Sequence, residues 1–160
     1  MTARAAATFR PMLSDNTTRP AEHDPDAALL ALRPVVPSLP ITSADAGTAN
    51  EFLHATLRPV LKLQNERLLA VVADFVVDHH MPLASASPTD QQRLLAELLS
   101  RNTKLRYTVV GLISGLFTTA EYAFYRANRA ELNRRLLDLA QQRVLDQTSR
   151  VASLATGAPA

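Results

Sequence analysis

The chain has 160 residues, which is enough for one domain with its own hydrophobic core. Apolar residues make up 47% of it and aromatic residues 5%, and the apolar residues are chiefly leucine and alanine, which favours helices over sheet. The absence of cysteine excludes disulfides, thiol nucleophiles and cysteine-ligated metal centres, and the net charge of +2 means that acidic and basic residues nearly balance.

The N-terminal segment, residues 1–47, is rich in proline and has no long periodic pattern. We predict that it is mostly extended or disordered, and that it binds a protein partner or tethers the rest of the chain. A short helix is predicted within it over residues 25–33, because Asp24 suits an N-cap, Pro25 suits the first helical position and Pro34 ends the run. Its arginines lack the apolar stretch of a secretory signal peptide, and a targeting leader stays an open alternative.

Three long segments follow in which apolar residues recur every three or four positions. They predict an all-α fold, an up-down-up antiparallel three-helix bundle with helices over about 49–79, 88–116 and 119–150. The bundle domain then covers residues 48–151, and residues 152–160 form a disordered tail. The core stripes of the helices are Leu53, Leu57, Leu61, Leu68, Val72, Phe75 and Val76 in the first, Leu94, Leu95, Leu98, Leu105, Val109, Leu112, Ile113 and Leu116 in the second, and Tyr122, Tyr125, Leu132, Leu136, Leu139 and Ala140 in the third.

Capping sequences mark the start of each helix. The N-cap residues are Thr48, Ser87 and Thr118, and the last of these forms a capping box with Glu121. Pro59 lies inside the first helix, so a kink is expected just before it.

Polar residues that fall on the apolar faces predict an interior polar layer. Asn65 and Asn102 lie in the stripes of the first two helices, and Arg129 and Asn133 lie in the third. Antiparallel pairing would bring all four to one height in the bundle. Such a layer either fixes the register of the helices, as buried asparagines do in coiled coils, or binds a small molecule or anion through Arg129.

The second and third helices also carry features of a contact surface. The back of the second helix has a glycine pair that permits close approach, and the third has apolar residues outside its main stripe. We therefore predict self-association, most simply as a homodimer. The candidate interface residues are Gly111, Ser114, Gly115, Leu137, Val144 and Leu145.

Basic residues gather on the middle of the paired second and third helices. Such a band suits nucleic acid or an acidic partner, but interleaved acidic residues make a solvated face the simpler explanation. The band consists of Arg101, Lys104, Arg106, Arg126, Arg134 and Arg135.

No catalytic motif or phosphate-binding loop is present, and one E-x-x-H motif ending at His54 is too few for a di-iron site. We expect no enzyme activity, no metal and no cofactor. The longest apolar run, Tyr107 to Phe117, is far shorter than the roughly 20 residues of a transmembrane helix. The sequence thus predicts a cytoplasmic, non-enzymatic interaction or scaffold protein, with ligand or nucleic-acid binding as alternatives.

Overall fold

The computed structural model describes residues 24–37 and 47–157, and in these ranges all regular secondary structure is helical. This confirms the all-α prediction. No helix in the two ranges is long and apolar enough to cross a membrane. The α-helices are α1 (Pro25–Ala31), α2 (Ala49–Phe52), α3 (Arg58–Leu63), α4 (Asn65–Asp78), α5 (Pro88–Arg101), α6 (Thr103–Ser114), α7 (Thr119–Ala127), α8 (Arg129–Leu145) and α9 (Thr148–Ala155), and a π-helical segment, Leu53–Leu57, joins α2 to α3.

The prediction of three uninterrupted helices is wrong, because amide residues interrupt each of them. Asn102 has an extended backbone, with φ −79° and ψ 101°, and separates α5 from α6. Gln64, Asn128 and Gln147 also leave helical geometry, at φ from −92° to −123°. Asparagine side chains compete for backbone hydrogen bonds and so favour helix ends over helix interiors, whereas the side chains of the two glutamines cap neither α4 nor α9. The Asn102 Oδ1, for example, accepts from the Leu105 N–H at 2.8 Å and caps α6.

Just ahead of Pro59, where a kink was predicted, the structure has a π-helical turn over Leu53–Leu57. Proline has no N–H to donate to the carbonyl four residues earlier, so the regular bonding pattern fails there. The Arg58 N–H bonds instead to the Leu53 carbonyl, five residues back. The wider turn lets the chain continue as a helix through Pro59.

The capping predictions at Thr48, Ser87 and Thr118 are confirmed, since each side chain accepts from a backbone N–H in the first turn of its helix. The core stripes are confirmed for most of their residues. Of the 21 predicted, 14 are buried and form one hydrophobic cluster that Phe52, Phe117 and Val144 also join, six are half-buried, and Tyr122 is 43% exposed. Local periodicity therefore predicts the buried face of each segment correctly.

Packing between the segments departs from a simple hairpin order. α4 packs chiefly against α9, α5 against α8 and α9, and α6 against α8 and α4. The N-terminal ends of α4 and α9 lie side by side, because Asn65 Nδ2 donates to Gln147 Oε1 at 3.1 Å and Arg150 pairs with Glu66 at 2.5 Å. α9 continues to Ala155, four residues past the predicted domain boundary, and Val151 within it is fully buried.

Residues 24–37, here called the N-terminal arm, lie against the corner between α6 and α7. Asp26 accepts hydrogen bonds from the N–H and Oγ1 of Thr119, at 3.0 and 3.2 Å. Arg33 reaches past that corner to the Leu116 carbonyl, at 2.8 Å. No residue of α1 is buried, so polar contacts rather than apolar burial hold this helix. The remainder of the predicted extended segment, residues 1–23 and 38–46, lies outside the described residues.

Candidate functional site

The four residues of the predicted polar layer do not form one site. Asn65 is half-buried and bonds to Gln147, whereas Asn102 donates from Nδ2 to the Nε2 of His79 at 3.1 Å. The predicted approach of Asn65 to Asn102 required α5 and α6 to form one straight rod antiparallel to α4. The extended backbone at Asn102 breaks that rod, so the two asparagines contact different partners.

Arg129 was expected in the interior, and the structure places it at the surface instead. The break at Asn128 makes it the first residue of α8, where its guanidinium lies 5.7 Å from the centre of the Tyr125 ring, a cation–π contact. Asn133 is half-buried and accepts from the Tyr125 hydroxyl at 2.6 Å. Burial raises the pKa of Tyr125, against the opposing effects of the Arg129 charge and the Asn133 hydrogen bond.

The predicted interface residues divide into exposed and buried groups. Gly111 and Gly115 are exposed, and a Cβ added at Gly111 would meet no atom within 4 Å. Ser114, Leu137 and Leu145 are half-buried. The prediction of Val144 as an interface residue is wrong, because Val144 is fully buried in the hydrophobic core of the single chain.

Half of the predicted basic band is neutralised by acidic residues one turn away. Arg101, Arg134 and Arg135 form ion pairs on the helix surface, at distances of 2.8 to 3.5 Å. Lys104 and Arg126 are exposed, and Arg106 donates to the Ser100 carbonyl at 3.2 Å. Exposed pairs of this kind contribute little to stability, and they lower the net charge that the band presents. Their acidic partners are Glu97, Asp138 and Glu131.

A groove of about 230 Å³ between α6 and α8 brings together residues from all three predicted sets. Asn133 comes from the polar layer, Arg106 from the basic band and Leu137 from the interface candidates. Tyr107 stands at its edge with 73% of its surface exposed. Thr103 and Val110 complete the lining. This groove is the candidate functional site.

Asn133 and Arg106 give the groove free polar atoms beside its apolar wall. The Oδ1 of Asn133 is taken by the Tyr125 hydroxyl, while its Nδ2 has no partner in the part of the chain that the structure describes. Arg106 forms no ion pair with any described carboxylate. An apolar surface with a few unsatisfied donors is typical of a contact site for a protein or a small ligand.

The most enclosed ion pair of the described residues was not predicted from the sequence. Arg33 and Glu121 form a bidentate pair at 2.5 and 2.6 Å, and their side chains are only 8% and 18% exposed. The Glu121 carboxylate also accepts from the Thr56 hydroxyl and the Thr118 N–H, both at 2.8 Å. The spacing of Thr118 and Glu121 predicts the capping role of Glu121, but Arg33 is 88 residues away and no local pattern links it to Glu121.

The surroundings of Glu121 determine its ionisation. Burial raises the pKa of this carboxyl, but hydrogen bonds from Arg33, the Thr118 N–H and the Thr56 hydroxyl, together with the Arg33 charge, outweigh it. The net result is a pKa of about 2, compared with an ordinary value of 4.5. Glu121 therefore stays ionised in the folded protein at moderately acidic pH.

Acid should weaken the fold through this carboxylate. Because the pKa is lower in the folded than in the unfolded chain, its contribution to stability is complete above about pH 4.5 and is lost as the pH falls towards about 2. We expect a loss on the order of 2–3 kcal/mol, measured by urea unfolding across this range. Glu121→Gln, which cannot titrate, should lose less stability over the same interval, and equal losses would contradict the assignment.

Histidines and carboxylates do not gather as metal ligands would. Within residues 24–37 and 47–157, no group of three or more such side chains is close enough to hold an ion. His54 lies in the π-helical segment with its Nδ1 buried and without a described partner. Both ring nitrogens of His79 have hydrogen-bond partners, the Phe75 carbonyl at Nδ1 and the Asn102 side chain at Nε2.

Comparisons with known proteins found no match: no family model, no curated protein and no solved structure matches the chain. The function proposed below therefore depends on the contacts, exposure and charge of the described residues alone.

Proposed function

We propose that this chain is a non-enzymatic, cytoplasmic interaction protein that self-associates through the groove between α6 and α8. The observation that carries the proposal is the exposure of Tyr107, 73%, at the edge of a groove lined by Val110 and Leu137. Tyrosine contributes a large contact area with few rotatable bonds, and it is enriched at the energetic centres of protein interfaces.

The glycine pair of α6 provides space beside that tyrosine. Gly111 lies one turn after Tyr107 and Gly115 one turn further, so the three share one face of the helix. A second copy related by a two-fold axis would place its Tyr107 over the open surface at Gly111. Each copy then supplies the same side chain and the same surface, as a symmetric dimer requires.

The test is the oligomeric state at increasing protein concentration. Wild-type protein should show a concentration-dependent rise in mass by light scattering, and Tyr107→Ser should remain monomeric. Gly111→Arg should block the same contact from the opposite side. Since arginine has a higher helix propensity than glycine and the position is open, this change should not damage the monomer.

Tyr122 provides a matched control, because it is also an exposed tyrosine, at 43%, but lies on α7. Tyr122→Ser should leave self-association unchanged. A wild-type protein that stays monomeric at high micromolar concentration, or a Tyr107→Ser variant that associates normally, would reject the proposal.

The N-terminal arm offers a second surface for a protein partner. Leu32 and Val35 are 61% and 91% exposed, and α1 buries none of its residues. Exposed aliphatic side chains on a segment held by polar contacts support a role in binding another protein.

Nucleic-acid binding through the basic band is the weaker alternative, since three of its six arginine and lysine residues are already paired. It predicts an affinity that falls steeply as salt is added. An absence of binding at low salt would reject it.

A further inference from the structure

A second and larger cleft lies where α3 and the C-terminal half of α8 meet the N-terminal arm. Its volume is about 310 Å³, within the range of small-molecule sites. It shares no residue with the groove between α6 and α8. Its lining consists of Val36, Arg58, Leu61, Lys62, Leu139, Gln142, Arg143, Asp146 and Gln147.

The charge of this cleft is positive. Of the residues that the structure describes, Arg58, Lys62 and Arg143 line it together with a single carboxylate, that of Asp146. The Asp146 Oδ1 accepts from Gln142 Nε2 at 2.8 Å, and Asp146 forms no ion pair with the three cations. Three positive charges against one negative charge leave a surplus of two.

The three cations of the cleft have few hydrogen-bond acceptors and no ion-pair partner among the described residues. By contrast, six arginines elsewhere in the described chain form ion pairs. Arg58 is half-buried, and its guanidinium has no hydrogen-bond partner among the described residues. The half-buried Arg143 has only a long bond to the Asn65 Oδ1, at 3.4 Å, and Lys62 a similar one to the Val35 carbonyl. Partial burial of a guanidinium without an anion is unfavourable, so a bound anion would supply the missing acceptors.

One side of the cleft is apolar. Leu61, Leu139 and Val36 form a wall beside the charged groups, and Val36 belongs to the N-terminal arm. An inorganic ion would leave that wall exposed to water, whereas an organic anion would cover it. The surplus of two charges suits a dianion, and the guanidinium groups suit the oxygens of a phosphate.

We propose that this cleft binds a phosphate monoester of a small aromatic or aliphatic alcohol. The phosphate lies among Arg58, Lys62 and Arg143, and the organic group packs against Leu61 and Leu139. This inference does not rest on self-association, because it concerns other residues and predicts binding by a single copy of the chain.

The test is calorimetric titration of the full chain with phenyl phosphate at low salt and pH 8, where the ester is a dianion, since its second pKa is about 6. We expect saturable binding of one molecule per chain, tighter than for inorganic phosphate. Arg143→Met should weaken it about tenfold or more, and Lys62→Met should weaken it in the same direction. Arg134→Met is the matched control on the same helix, because Arg134 is exposed and pairs with Asp138 outside the cleft.

Asp146→Asn provides a test in the opposite direction. Asparagine keeps the oxygen that accepts from Gln142 but removes the one negative charge of the cleft, so phenyl phosphate should bind more tightly. Binding that is absent, unchanged in Arg143→Met, or no tighter than that of inorganic phosphate would overturn the proposal. Light scattering with and without phenyl phosphate distinguishes this proposal from self-association. The ligand should leave the mass of the protein unchanged, because it binds to a single copy of the chain.

Discussion

Val151→Asp should lower the free energy of unfolding by more than about 4 kcal/mol, the largest effect that we expect from a single substitution. Val151 is fully buried where α9 packs on α4, so a carboxylate there would lose its hydration without gaining a partner. Urea unfolding followed by circular dichroism gives the change. Val151→Ala, which removes only apolar contact, should cost about 2 kcal/mol.

Leu154 is the control for this substitution, because it lies one turn further along α9 and is 39% exposed. Leu154→Asp introduces the same charge near the surface and should cost about 1 kcal/mol. Similar losses for the two aspartate variants would show that α9 does not pack on α4 as described.

Glu121→Gln should detach the N-terminal arm and cost about 2–4 kcal/mol. The one oxygen of glutamine can replace Oε2 and accept from the Thr118 N–H, and its Nε2 then faces the Thr56 hydroxyl, which can accept a hydrogen bond, so the change removes the charge while it keeps the helix cap. It leaves the guanidinium of Arg33 enclosed without a counter-charge. If the arm leaves the corner, the Arg33 charge becomes hydrated. The loss of stability is therefore smaller than for a charge that must stay buried.

The coupling between the two residues can be measured with a double-mutant cycle. Arg33→Met in the Glu121→Gln background should cost far less than Arg33→Met alone, with a coupling free energy above about 1 kcal/mol. Hydrogen exchange of residues 24–37 should accelerate in both single variants. Additive losses, or an arm that remains protected in Glu121→Gln, would contradict the assignment. Glu66→Gln, which breaks the exposed pair with Arg150, is the matched control and should change stability little.

The buried faces and helix starts were predictable from the sequence, because both depend on residues close together in the chain. Three- and four-residue spacing selects Leu57, Leu105 and Leu136 for the core, and each is fully buried. Likewise, Thr118 and Glu121 are three positions apart and form the predicted capping box.

The helix breaks were not predicted, because an amide on an apolar face has two physical explanations. Asn102 was assigned to the interior by its position in the stripe, yet asparagine is also among the best N-cap residues. The structure has the second arrangement, with the Asn102 side chain bonded to the Leu105 N–H. With that break, Asn102 bonds to His79 at the C-terminal end of α4, whereas Asn65 is the first residue of α4, so the predicted common height of the two asparagines is lost.

The candidate groove was predictable only in its parts. Asn133, Arg106 and Leu137 were each selected for a different reason, and only the packing of α6 on α8 brings them together. No sequence pattern indicated the Arg33–Glu121 pair, because an arginine before a proline does not point to a partner 88 residues away.

The packing of α4 on α9 has a consequence for how this protein is made. The ribosome completes α4 long before α9, since Asn65 and Gln147 are 82 residues apart. During that interval α4, whose Leu68, Val72 and Val76 are buried in the finished fold, lacks its main packing partner, and such a nascent chain is prone to aggregation. Translation past α9 is thus required before the packing around α4 is complete, and a chaperone that binds emerging aliphatic segments would raise the yield.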